Sequence, residues 1–166
     1  MRRKVSYFVG ALICLALAGI LILTIYLFDG GPPSEEKDGT EVKKARITAN
    51  ENDIDLLARA VYAEAKGEPY EGQVAVAAVI LNRVEHPEFP NTIAGVIYEP
   101  LAFQVVANGQ INRPADEKAR QAALDAIYGL DTSKGALYFY NPNKTSNQWI
   151  RQRPVITKIG KHVFAA

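Results

Sequence analysis

Thiols are nearly absent from this sequence. Cys14 is the only cysteine, which excludes an intramolecular disulfide framework and a cysteine-based zinc site. It lies in an apolar N-terminal segment behind Ile13, which is not the small residue that precedes a lipoprotein cysteine. Histidine is scarce as well. His86 and His162 stand far apart, and neither has an H-E-x-x-H neighbour, so no metal site is expected. His86 precedes Pro87 at a helix end and reads as a capping residue, whereas His162 reads as a packed or surface imidazole. A G-x-S-x-G elbow, a phosphate loop and a dinucleotide fingerprint are all missing, and no cofactor is expected. Nor is there an excess of charge: 19 Lys and Arg face 18 Asp and Glu, for a formal net charge of +1. That balance lacks the basic footprint of a nucleic-acid binder.

What is present begins with a basic stub, Arg2-Arg3-Lys4, followed by an uncharged apolar run from Tyr7 to Phe28. About twenty such residues suffice for a helix to cross a bilayer. The run ends in Ile25-Tyr26-Leu27-Phe28 with no small-residue cleavage site after it, so residues 1–28 are expected to form an uncleaved signal-anchor. The basic stub would stay cytoplasmic and the rest of the chain would lie outside. Residues 29–50, opening Gly30-Gly31-Pro32-Pro33, are expected to be a disordered tether.

Residues 51–166 are expected to form one α+β domain, helices first and a small antiparallel sheet last. Ile54, Leu57, Ala58, Val61 and Ala65 make an apolar stripe at helical spacing, with Asn52 or Asp53 as cap and Gly67 and Pro69 as terminators. A second helix from Tyr70 to about Glu85 is apolar all round, the mark of a central buried helix. A short helix should run from Asn91 or Thr92 to Ile97. The stretch from Glu99 to Arg113 reads as a long loop, and Asp116 to Tyr128 as a further helix. Ala136 to Tyr140 reads as a strand, and Val155 to Ile159 with His162 to Ala165 as a hairpin.

Carboxylates are the remaining chemistry. Glu64, Glu68 and Glu71 cluster about the break at Gly67-Glu68-Pro69. A carboxyl that must donate a proton near neutral pH needs apolar surroundings or a like charge to raise its pKa. Glu64, at the apolar border of its helix and near the C-terminal end, has both in prospect; a solvated helix flank is the competing reading. The C-terminal half adds flat faces (Tyr138, Phe139, Tyr140, Trp149) and amides (Asn108, Gln110, Asn112, Asn141, Asn143, Asn147), a combination suited to carbohydrate. Strand alternation sends Phe139 inward and a tyrosine toward a cleft. Between Pro100 and Ala166 nine basic residues face four acidic ones, so Arg151 and Arg153 are candidate contacts for substrate carboxylates.

Four segments carry a resemblance. The run Leu57-Ala58-Arg59-Ala60-Val61-Tyr62-Ala63-Glu64-Ala65-Lys66-Gly67-Glu68-Pro69 and its continuation to Val84 resembles the catalytic domain of the spore cortex-lytic enzyme family of cell wall hydrolases. So do Ala107-Asn108-Gly109-Gln110-Ile111, Gly135-Ala136-Leu137-Tyr138-Phe139-Tyr140-Asn141-Pro142 and Ile159-Gly160-Lys161-His162-Val163-Phe164. The resemblance covers about Ile54 to Phe164. It implies a lysozyme- or lytic-transglycosylase-like fold, cleavage of the N-acetylmuramic acid–N-acetylglucosamine bond in peptidoglycan strands, and Glu64 as the catalytic acid. Glu68, Phe103, Gln104, Asn108, Gln110, Tyr138, Tyr140, Asn141 and Trp149 are the corresponding substrate-binding candidates. The cortex-lytic enzyme carries a peptidoglycan-binding repeat ahead of this domain. Here an apolar segment and a linker precede it, so a membrane-tethered paralogue is expected. A wall-cutting enzyme also invites a restraining protein partner, which no segment identifies. A rival reading is a module that holds glycan or a partner without cutting. An amidase fits poorly, since the zinc ligands such enzymes need are missing.

Overall fold

A computed structural model of the chain describes residues 44–166. The expected signal-anchor at residues 7–28 and most of the expected tether lie outside the described residues. Among the described residues, no helix is long and apolar enough to cross a membrane.

Helix α1 spans Glu51–Ala65, one turn ahead of the expected start at Ile54. The cap is Asn50 rather than Asn52 or Asp53. Its side chain accepts from the Asn52 and Asp53 N–H groups (2.9 and 3.1 Å), while Asp53 accepts from the Asn50 N–H at 3.1 Å. This reciprocal capping box satisfies donors that an uncapped helix leaves orphaned. The expected tether is also shorter at its far end. Ala45, Ile47 and Ala49 pack on the core, and the Arg46 N–H donates to the Ile127 carbonyl at 2.8 Å. The Arg46 guanidinium further pairs with Glu85 and donates to Asn82 Oδ1 at 2.7 Å.

Helix α2, Tyr70–Glu85, is buried without interruption from Gly72 to Leu81. Its apolar circumference is covered by α1, by α3 (Ile93–Ile97, capped by Thr92) and by α5 (Glu117–Ile127, capped by Asp116). Leu57, Ile80, Leu81 and Ile97 are wholly buried, each worth about 1.5–3 kcal/mol of transfer free energy. Ala119, Ala122, Ala123 and Ala126 form the inward stripe of α5. Their small size lets α5 lie close against α1 and α2, so a bulky residue at Ala122 would overpack the seam.

The stretch expected as one loop holds two short helices, α4 (Gln104–Ala107) and a 3-10 turn (Gln110–Asn112). They are joined at Gly109, whose φ of 73° suits glycine. The sheet follows in the order β1-β3-β2, antiparallel throughout: β1 is Tyr138–Tyr140, β2 Val155–Ile159 and β3 His162–Ala165. β1 starts two residues later than expected, because the Ala136 and Leu137 carbonyls are taken by Asn82 Nδ2 (2.9 Å) and Arg83 Nε (2.7 Å) of α2. β3, in the middle, is buried along its length; Phe139 of β1 pairs with Phe164, and Val163 faces Tyr140. An unexpected single turn, α6 (Gln148–Arg151), is capped by Asn147, whose Oδ1 accepts from the Trp149 N–H at 3.0 Å.

Candidate active site

Glu64 sits in the last turn of α1, where Gly67 and Pro69 end the helix, and opens onto a cleft of about 540 Å³. The cleft lies between that turn, the α4 segment, β1 and the loop from Asn141 to Ile150. Among the described residues, Glu64 is the only Asp or Glu lining it. Burial raises its pKa above the ordinary value. Two weaker influences oppose this: the Val105 backbone N–H and the Lys144 ammonium, which lines the same cleft. The Val105 N–H is available because α4 has no side-chain cap at Phe103, leaving first-turn donors without intrahelical acceptors. The carboxyl therefore holds its proton above the usual range, with a donor and a cation at hand once the proton leaves. Both properties suit a group that gives up a proton and later takes one back.

Aromatic packing fixes the opposite side. Phe139 lies 6.3 Å from Phe103, 5.3 Å from His162 and 6.1 Å from Phe164, centroid to centroid. His162 is buried in this cluster, and its Nδ1 finds no partner among the described residues. Burial, the dominant effect, lowers its pKa; nearby Glu68 pulls the other way, and Lys144 and Lys161 reinforce the lowering. Burial thus favours the neutral imidazole over the cation.

Of the residues singled out from sequence, Glu64, Phe103, Gln104, Asn108, Gln110, Tyr140 and Asn141 line the cleft, joined by Asn147. Glu68 does not. Its carboxylate turns away to accept from the Lys161 N–H at 2.8 Å, and it is buried there as a clamp. Tyr138 and Trp149 also lie off the cleft lining, meeting edge to face at 5.3 Å and holding Arg153 against both rings, 4.5 and 4.3 Å from the centroids. Arg151 is spent on the Pro142 and Thr145 carbonyls. Phe139 packs inward as expected yet also floors the cleft. Sequence reasoning missed Arg83, Leu101 and Lys144. Leu101 carries a visible signal only in the structure: it is fully exposed with a φ of 67°. Among the described residues, no cluster of His, Cys, Asp and Glu could hold a metal ion.

A family model described as Cell Wall Hydrolase matches residues 67–165. The chain belongs to the cell wall hydrolase family. Its described part is helix-rich with a small antiparallel sheet, the architecture of the solved domains it resembles. The spore cortex-lytic enzyme of Bacillus subtilis is 63% identical over 113 residues, covering 68% of this chain and 37% of the relative. That of Halalkalibacterium halodurans is 54% identical over 135 residues, covering 80% and 41%. The chain thus spans less than half the length of these two relatives. A solved structure, the catalytic domain of the germination-specific lytic transglycosylase SleB from Bacillus anthracis, is 56% identical with a TM-score of 0.68; it covers 71% of this chain and 97% of that one. The SleB catalytic domain from Bacillus cereus is 53% identical with a TM-score of 0.69, covering 77% and 99%. The matched family segment begins three residues beyond Glu64, and Arg83, Lys144 and His162 fall within it.

Proposed function

We propose that this cell wall hydrolase domain cuts peptidoglycan strands between N-acetylmuramic acid and N-acetylglucosamine by lytic transglycosylation, with Glu64 as its single acid and base. The observation that carries the reading is the Glu64 carboxyl, its pKa raised by burial, in a cleft that no second acid among the described residues lines. Ordinary glycosidases place two carboxyl groups about the scissile bond. One suffices if the second nucleophile comes from the substrate. Glu64 gives its proton to the glycosidic oxygen as the C1–O bond breaks. The muramic 6-hydroxyl then closes onto C1 and returns its proton to the Glu64 carboxylate, so the group is regenerated without water. The Val105 N–H and Lys144 would stabilise the carboxylate between the two transfers. The relative titled a lytic transglycosylase is consistent with this course. Glu64→Gln, assayed on isolated wall, is expected to lose at least a hundredfold in the release of soluble fragments. Undiminished release would overturn the assignment.

The same reading extends to location. The apolar run at residues 7–28 and its basic flank support a single-pass anchor with the domain outside the cytoplasmic membrane. Sedimentation with membranes through a high-pH carbonate wash is the expected behaviour of the full chain; release by the wash would remove the anchor from the account.

A further inference from the structure

The charges of the cleft do not balance. Its lining includes Glu64, Arg83, Lys144 and His162. When Glu64 is protonated, as an acid about to act must be, and His162 is neutral, the lining residues hold two cations and no anion; Glu99, outside the lining, acts on Arg83 only through space.

Arg83 is the more constrained of the two. It lies in the last turn of α2 with only 7% of its surface exposed. Its Nε donates to the Leu137 carbonyl at 2.7 Å, and the rings of Phe89, Phe103 and Tyr138 stand 5.2, 5.3 and 5.4 Å from its guanidinium carbon. No carboxylate forms a close ion pair with it, Glu99 acting only at longer range: the ion pairs among the described residues join Arg46 to Glu85, Arg59 to Asp55 and Arg120 to Glu51. Among the described residues the only hydrogen bond of its side chain is the one from Nε, and the side chain lines the cleft. Ring contacts recover only part of what burying a cation costs. For packing alone, an apolar side chain among three aromatics would serve better. A guanidinium held by Nε, with its outer fork empty at a cleft wall, matches a planar pair of oxygens.

We propose that Arg83 anchors the substrate by gripping a carboxylate carried by the glycan, on a peptide stem or a free lactyl group, and that the domain thereby selects acid-bearing strands over neutral polysaccharide. This rests on the peptidoglycan reading above. It moves the carboxylate contact from Arg151 and Arg153, both engaged elsewhere, to a residue of helix α2.

Binding of full-length Glu64→Gln protein to defined strands tests this without chemistry. The ligands are stem-bearing glycan strands, the same strands with carboxyls amidated, peptide-free strands retaining the lactyl carboxylate, and a neutral chitin oligosaccharide. With Arg83 present, amidation should weaken binding about tenfold or more, and chitin should bind as weakly as amidated strands. Arg83→Met in the same background should bind free and amidated strands equally, at the weaker level. Whichever of the stem-bearing or peptide-free strands keeps the Arg83 dependence identifies the carboxylate. Arg83→Lys retains the cation without the fork and should show a reduced amidation effect; it carries the test alone should Arg83→Met fold poorly. Equal losses on free and amidated strands, or an amidation effect that survives both substitutions, would overturn the proposal. The cutting assay fails independently: Arg83-dependent binding with no cleavage by the native chain would remove the transglycosylase reading and leave this one.

Discussion

Glu68 and the backbone N–H of Lys161, 93 positions apart in sequence, are joined by a 2.8 Å hydrogen bond. The bond ties the α1–α2 break, which sets the end of Glu64's helix, to the β2–β3 turn beside His162. The turn must come very close to make it. A Cβ on Gly160, whose φ is 57°, would stand 2.2 Å from Glu68 Oε2 and 2.8 Å from Pro69 Cδ. Gly160→Ala should therefore destabilise the domain by about 2 kcal/mol or more, through positive φ and overpacking. Chemical denaturation checks it, and an unchanged midpoint would contradict the clamp. Glu68→Gln, which keeps an acceptor, should cost less than Glu68→Ala.

Glu64 should weaken the fold it serves. A carboxyl whose pKa is raised on folding binds its proton more tightly in the native state, so native stability declines as pH rises from the unfolded value through the folded one. Glu64→Gln removes this decline. The variant should melt at or above the native temperature at pH 8, and the two should converge below pH 4. A lower melting temperature for the variant at pH 8 would mean that the buried carboxylate stabilises the native state.

Lys144 opposes the rise in the Glu64 pKa. Lys144→Met should move the alkaline limb of the kcat/KM profile to higher pH, because the protonated acid then persists further. A shift to lower pH, or none, would place the ammonium outside the reach of Glu64.

Asp131 behaves in the opposite sense from Glu64. Burial alone would raise its pKa, but hydrogen bonds from Ser133, Gly135 and Asn82 outweigh this and hold it below the ordinary value. A depressed carboxyl adds stability above its unfolded pKa and loses it as pH falls through the folded one. Asp131→Asn should cost about 1–3 kcal/mol at pH 7. The difference from the native chain should shrink below pH 4, as followed by urea midpoints across that range.

How far the sequence told this story depends on the length scale of each signal. α2 was legible at both ends because Pro69 and the His86-Pro87 pair bracket an unbroken apolar stretch, and the terminal hairpin because Gly160 interrupts two β-rich runs. α4, the 3-10 turn and α6 are each one turn or less, too short for a period to show. In the site, Glu64, Phe103, Gln104, Asn108, Gln110, Tyr140 and Asn141 line one cleft. Glu68 was grouped with Glu64 by proximity in sequence, yet the helix break turns the two carboxylates in different directions. Arg83 has no sequence signal beyond that of any cation near a helix C-terminus. Only the Phe89, Phe103 and Tyr138 rings, supplied by three later segments, reveal it as buried.

The most direct test of the central claim is mass spectrometry of the fragments released from purified wall by the native chain and by Glu64→Gln. The account predicts 1,6-anhydromuramic ends from the native chain and virtually no fragments from the variant. Reducing muramic ends from the native chain, or anhydro ends undiminished in the variant, would contradict it.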